Sequence, residues 1–178
     1  VTEKFIHNLL AQSYGHWHLI LIDDGSTDGT AAMAQSLVPA GNLTVLTGKG
    51  SWWWAGSLHQ GYLWLKQNGI AADDLVLTMN DDTVFGADFL ANAARAMKPR
   101  ALLQAVCLDK LGLLDEVGVV WDWRTLIASA AKSMEGVNCF STRGLFLQVG
   151  DFVALGGFYP MLLPHYLSDY EFTIDRKS

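Results

Sequence analysis

Short apolar runs that end abruptly on carboxylates constrain this chain more than any other feature. Residues 17–22 (WHLILI) run straight into Asp23-Asp24, and residues 74–79 (DLVLTM) into Asn80-Asp81-Asp82. Each run is too short for a helix and reads as a buried strand. Helical spacing fills the intervals: Phe5, Ile6, Leu9 and Leu10 within 2–12, an alanine-rich stretch at 29–37 begun by Asp28, and Leu58, Tyr62 and Leu65 within 55–68. A further strand is expected at 43–47, and a further helix at 86–97, ending before Pro99. Strands alternating with helices imply βαβ units and a mainly parallel sheet flanked by helices. Open sheets of that kind bind ligands at the carboxyl ends of their strands, where both acidic tips fall.

Beyond residue 100 the regular alternation stops. Strand-like pieces appear at 101–108, 117–123 and 143–149, so this half is expected to be mixed. The 178 residues read as one domain, with a regular half over 1–99 and a mixed half over 100–178. The chain opens on a helix where a doubly wound sheet opens on a strand. A first strand is therefore expected upstream, and the domain is expected to be truncated at both ends.

Composition narrows the partners. Apolar residues are 51% and charged residues 17%, with a net charge of −6 and no basic block, which disfavours nucleic acid. An acidic protein that handles phosphates needs backbone N–H groups or a metal cation. Cys107 and Cys139 stand apart from any Cys/His cluster and read as reduced thiols. No apolar run reaches the length of a membrane span. A cytoplasmic enzyme is the expectation.

Three acidic stations carry the candidate chemistry. At the first, DDGSTDGT (23–30), Asp28 serves as a cap and Gly25 and Gly29 as turn residues. A turn does not need two adjacent, mutually repelling carboxylates. Asp23 and Asp24 could instead accept hydrogen bonds from a base and a ribose. The loop mimics the first half of a calcium loop, but Gln35 stands where the bidentate Glu belongs. At the second station, Asp82 could hold Mg²⁺ or Mn²⁺ and bridge it to a diphosphate. A capped turn would also explain that cluster. At the third, Asp169 and Glu171 alternate with aromatics in HYLSDYEF (165–172). They form either a solvated helix start or the site of a general base. Trp52-Trp53-Trp54 cannot all face one core, so at least one ring meets a pocket or solvent. Trp121 and Trp123 share one face of a strand and read as core or groove wall. Arg143 is either a phosphate neighbour or a surface ion pair, and His165 a metal ligand or a structural hydrogen-bonder.

DDGSTDGT after an apolar strand, NDDT at 80–83 and YLSDYEFTIDR at 166–176 together resemble family 2 glycosyltransferases of the GT-A fold. GSWWWAGSLHQGY (50–62) is similar to the rhamnosyltransferase-like branch. STRGLFL and VGDFVALGGFYP fit the family's strand and turn before its late acidic motif. The resemblance spans nearly the whole chain. It implies a GT-A, Rossmann-like sheet whose upstream strand would complete the nucleotide pocket. It implies nucleotide contacts from Asp23, Asp24, Asn80 and Asp81, and a Mg²⁺ or Mn²⁺ ion on Asp82; His165, by its residue type, could be a second metal ligand or a phosphate contact. It implies catalysis by Asp169; Trp53, Trp54, Arg143 and Glu171 are the candidates for the donor or acceptor pocket on the reading of the residues themselves. Three departures stand out: Asn80 for the usual Asp, Ser168 for the usual Glu, and Leu58-His59 where many members have Arg-Asn.

The implied reaction is inverting transfer of a sugar from a UDP-, GDP- or dTDP-sugar to a hydroxyl of a saccharide or lipid-linked acceptor. The implied setting is bacterial cell-surface polysaccharide synthesis at the inner face of the plasma membrane. The competing readings are a nucleotidyltransferase of similar fold, for which no early Gly-rich basic loop is visible, and a non-catalytic nucleotide-sugar-binding module.

Overall fold

Apolar β-branched and leucine-rich runs become strands here, and the alanine-rich intervals become the helices that connect them. The computed structural model describes residues 1–174. In chain order these are α1 (Thr2–Leu10), β1 (Leu19–Asp23), α2 (Thr30–Leu37), a 3₁₀ turn (Ala40–Asn42), β2 (Leu43–Thr47), α3 (Trp53–Gln67), β3 (Leu75–Thr78) and α4 (Phe89–Ala96). The second half holds β4 (Leu103–Gln104), β5 (Cys107–Leu108), β6 (Leu114–Glu116), β7 (Gly118–Asp122), β8 (Ile127–Ala131), β9 (Leu145–Gln148), α5 (Val149–Leu155) and α6 (Ser168–Ile174).

The α/β class and the strand–helix order of the first half agree with the sequence, element ends differing by a few residues. The mainly parallel sheet does not appear. Among the described residues only β1 and β2 pair in parallel, with Leu19 opposite Leu43 and Asp23 opposite Thr47. Their crossover is α2, as a parallel pair requires. β3 instead pairs antiparallel with β9, which also carries β4 in the order β3-β9-β4. The reason is local: Gly144 N–H donates to Thr78 O, so the chain enters β9 beside the carboxyl end of β3 and runs back along it. β5-β6 and β7-β8 are separate antiparallel pairs.

Two apolar clusters hold these pieces. The larger gathers Ala55, Tyr62 and Leu65 of α3, Leu145 and Leu147 of β9, Phe152 of α5, Phe158, and Phe172 of α6. Phe158 stacks on Phe172 with ring centroids 4.6 Å apart, and Phe152 meets Phe172 edge-on at 5.4 Å. Each buried ring contributes about 1.5–3 kcal/mol relative to exposure. The smaller cluster packs Ile6 of α1 against Ala34 and Val38, with Leu19 and Leu21 of β1 beside them. Between β1 and β3 lies a cleft of about 1780 Å³, with Leu19–Ile22 on one wall and Leu75–Leu77 on the other. No described helix is long and apolar enough to cross a membrane.

Candidate active site

Two adjacent carboxylates at the tip of β1 have different jobs. Asp23 is buried, lines the cleft, and accepts the Ser26 N–H on Oδ1 at 2.7 Å. Asp24 is engaged by the loop before α3. Its Oδ1 accepts from Gly50 N–H (2.8 Å) and Ser51 N–H (3.2 Å), and its Oδ2 from Trp52 N–H (2.6 Å) and Trp53 N–H (3.3 Å). Burial pushes the Asp24 carboxyl up, but these four donors outweigh it and hold the group below the usual carboxylate value. Asp24 thus serves α3 as a cap delivered from the loop after β1, since Trp52 makes no side-chain cap bond. Gly48 makes room for it: a Cβ there would collide with Asp24 Oδ1 and come within 2.8 Å of the Trp52 ring. Asp28 accepts the Thr30 N–H (3.1 Å) and Thr30 Oγ1–H (2.7 Å), one residue ahead of the cap position Gly29 of α2.

At the tip of β3, Asn80 and Asp81 line the same cleft. Asn80 Oδ1 is shielded from solvent and accepts no protein hydrogen bond. Asp81 Oδ2 accepts from Thr2 Oγ1, which ties α1 to this tip. Asp82 is exposed. Among the described residues no three His, Cys, Asp or Glu side chains converge to hold a metal ion. Two exposed, adjacent carboxylates nevertheless offer hard oxygen donors. That suits Mg²⁺ or Mn²⁺, which take one or two carboxylates and complete their shell with substrate phosphates and water.

Asp169 lies in the first turn of α6. Its Oδ1 accepts the Tyr170 N–H at 3.0 Å, and the Thr142 N–H also donates to the carboxylate. Burial pushes its carboxyl above the usual range, these two donors oppose the rise, and the charge of Glu116 adds to it. Thr142 links this group to the cleft: its Oγ1 accepts the indole N–H of Trp54 at 3.1 Å, and Trp54 lines the cleft beside Asp23 and Asn80.

The other expected residues fall around this frame. Trp53, at a left-handed φ of 56°, is 62% exposed and meets the His165 ring at 5.9 Å. His165 in turn packs edge-on against Tyr166 at 4.4 Å, so its ring belongs to an exposed aromatic ledge. Arg143 bonds Glu116 at 3.0 Å and does not line the cleft. Glu171 is half-buried on α6, and its N–H donates to Leu167 O. Trp121 packs against Tyr170, and Trp123 is exposed. At the departures, Leu58 lines the cleft, and His59 Nδ1 accepts the Phe158 N–H at 3.3 Å with its pKa lowered by burial. Ser168 is buried and donates to His165 O at 3.3 Å. Asp175 and Arg176, at the end of the late acidic stretch, lie outside the described residues.

The cleft therefore brings together Asp23, Trp54, Asn80 and Asp81. Asp24 and Asp82 stand next to residues that line it, without lining it themselves, and Asp169 is joined to it only through Thr142 and Trp54. Sequence reasoning passed over Thr142 and Glu116. Thr142 lay inside the STRGLFL stretch but was given no role of its own, and Glu116 sits in an irregular stretch whose partners lie in a different segment.

This arrangement of acidic strand tips around a cleft agrees with comparison to known families. The model of Glycosyl transferase family 2 matches residues 1–108, more than half of the chain, and the protein belongs to that family. Sugar transfer from a nucleotide-sugar donor to an acceptor is the activity this membership indicates. No curated protein matches the chain.

Proposed function

We propose that the protein is an inverting glycosyltransferase in which Asp169 is the catalytic base. The observation that carries this reading is the Trp54–Thr142–Asp169 connection, which joins a half-buried carboxylate of raised pKa to the cleft lined by Asp23 and Asn80. A general base works best when its pKa approaches the working pH, and burial moves Asp169 in that direction.

In this reading Asp23 and the unpartnered Asn80 Oδ1 hold the nucleoside, Asp81 lies beside the ribose and diphosphate, and Asp24 acts by shaping the loop at 48–53. Asp82 holds the divalent ion, which when bound supplies charge neutralisation to the departing diphosphate. Asp169 accepts the proton of the acceptor hydroxyl. That oxygen forms its bond to the anomeric carbon from the face opposite the diphosphate, the carbon–oxygen bond to the diphosphate breaks, and the centre inverts. The exposed Trp53–His165–Tyr166 ledge offers ring faces on which an acceptor saccharide can stack. The nucleotide occupies the part of the cleft beside Asp23 and Asn80. A deoxyhexose such as rhamnose on dTDP is the donor favoured by the tryptophan-rich stretch. A saccharide or lipid-linked acceptor, used at the cytoplasmic face of a membrane in polysaccharide synthesis, is the matching destination.

A thermal-shift panel of UDP-, GDP- and dTDP-sugars with and without Mn²⁺ tests donor binding, followed by assay of donor hydrolysis. We expect one nucleotide to raise Tm in a Mn²⁺-dependent manner, and Asp169→Asn to lower turnover by about 10²–10⁴ with binding retained. Unchanged turnover in Asp169→Asn would refute the base assignment.

A further inference from the structure

Glu116 is a carboxylate only 5% exposed, and neither the motifs nor the proposed chemistry employ it. It ends β6. Its Oε1 accepts from Ser141 Oγ at 3.1 Å, and its Oε2 from Arg143 Nη2 at 3.0 Å. Ser141 and Arg143 are two residues apart, and the residue between them is Thr142. Thr142, 1% exposed, faces different partners: Trp54 at its hydroxyl and Asp169 at its N–H. Glu116 therefore grips the segment on both sides of the residue that holds the Asp169 carboxylate. A second tie comes from α6 itself, where Thr173 Oγ1 accepts the Phe140 N–H at 2.9 Å. Gln104 Nε2 donates to Arg143 O at 2.7 Å and steadies the far end.

We propose that Glu116 is a positioning residue for Asp169, clamping Ser141 and Arg143 so that Thr142 presents its N–H to the Asp169 carboxylate. The proposal rests on the reading of Asp169 as the base. Its charge acts as well as its shape. Among the described residues, the titratable and charged groups acting on the Asp169–Tyr170 pair are Glu116 from β6, Arg143 from the turn before β9, and Cys139 bridged to β7. Glu116 disfavours a second negative charge close by, while Arg143 partly offsets it. A carboxylate clamped only to stabilise the segment could be replaced by a neutral acceptor of the same shape with no effect on the titration of Asp169.

Carbon-13 carboxyl NMR, with the Asp169 signal assigned by its loss in Asp169→Asn, reads that titration without any substrate. Glu116→Gln is expected to move the Asp169 midpoint to lower pH and to speed hydrogen exchange at the Thr142 N–H. Arg143→Gln, altered at a half-exposed side chain, is expected to move the midpoint to higher pH. Opposite shifts from the two partners of one ion pair are what loss of packing would not produce. A midpoint and Thr142 exchange rate that match the parent in Glu116→Gln would overturn the proposal. If Glu116→Gln does not fold, an unmoved midpoint in Arg143→Gln overturns it alone. Turnover by Asp169→Asn is scored separately: activity there refutes the base, whereas unmoved titration with an inactive Asp169→Asn refutes only the role of Glu116.

Discussion

Asp23 and Asp24 are neighbours in sequence with separable consequences. Asp24 is held by four backbone donors and lies below the usual carboxylate value, burial opposing them. A carboxylate depressed in the folded state contributes stability that is present above its unfolded pKa of about 3.9 and is lost as pH falls through the folded value. Acid unfolding of the parent should therefore steepen below about pH 4, and Asp24→Ala should flatten that limb. At neutral pH the same variant leaves α3 without its cap. A loss of about 1–2 kcal/mol follows, read as a Tm lowered by roughly 2–8 °C at this length. Asp23→Ala should instead weaken nucleotide binding, seen as a smaller ligand-induced rise in Tm. Asp169 has the opposite sign. Its raised carboxyl makes ionisation unfavourable to the fold, so the stability tied to its protonated form is complete below the unfolded pKa and is lost as pH rises through the folded one. In the proposed mechanism turnover needs the ionised form. The acidic limb of the pH–rate profile should thus lie above the ordinary carboxylate range, and no loss of Tm is expected for Asp169→Asn at pH 8.

At the scale of elements, the turn at Gly156-Gly157 decides how α5 meets α3. Gly156 ends α5 at φ 93°, and Gly157 follows at 73°. A Cβ at Gly157 would stand 2.7 Å from the Tyr62 ring and 2.9 Å from His59 Nδ1. Gly157→Ala should destabilise by about 1–3 kcal/mol through overpacking, measurable as a lowered denaturant midpoint with unchanged slope. Elements with a strong local signal were legible in the sequence: β1, β2 and β3 are apolar runs, and Tyr62 and Leu65 of α3 face the core as their spacing requires. The start of α3 was not legible, because its cap is Asp24 in the loop after β1 and no Ser, Thr, Asp or Asn stands at Trp52. β4 to β6 were blurred for a related reason. Strands of two or three residues carry too few side chains for a period to show, and β5-β6 contains a register shift at Cys107/Leu108. The antiparallel β3–β9 pairing depends on where the chain returns after Gly144, which no spacing records.

Over the whole molecule, the acids named by the motifs were found, but their division of labour came from contacts distant in sequence. Asp23, Asn80 and Asp81 reach the cleft, whereas Asp169 is joined to it only through Thr142 and Trp54. The family match ends at residue 108, so Asp169 and its supports lie in the half that the match does not cover. A donor nucleotide at the cleft mouth should stabilise the whole domain, by about 2.7 kcal/mol at a hundredfold excess over Kd, since both apolar clusters border it. Trp54→Phe, which keeps the ring but removes the indole N–H, should retain donor-induced stabilisation while lowering kcat.

In the proposed mechanism the indole of Trp54 also makes donor and base mechanically answerable to each other. A sugar nucleotide settling against its face would press on the same side chain whose N–H braces Thr142. Under the proposed mechanism, order of addition would then have a structural cause: a loaded donor would steady the Asp169 side before the incoming hydroxyl arrives, and water reaching an unloaded pocket would meet a looser one.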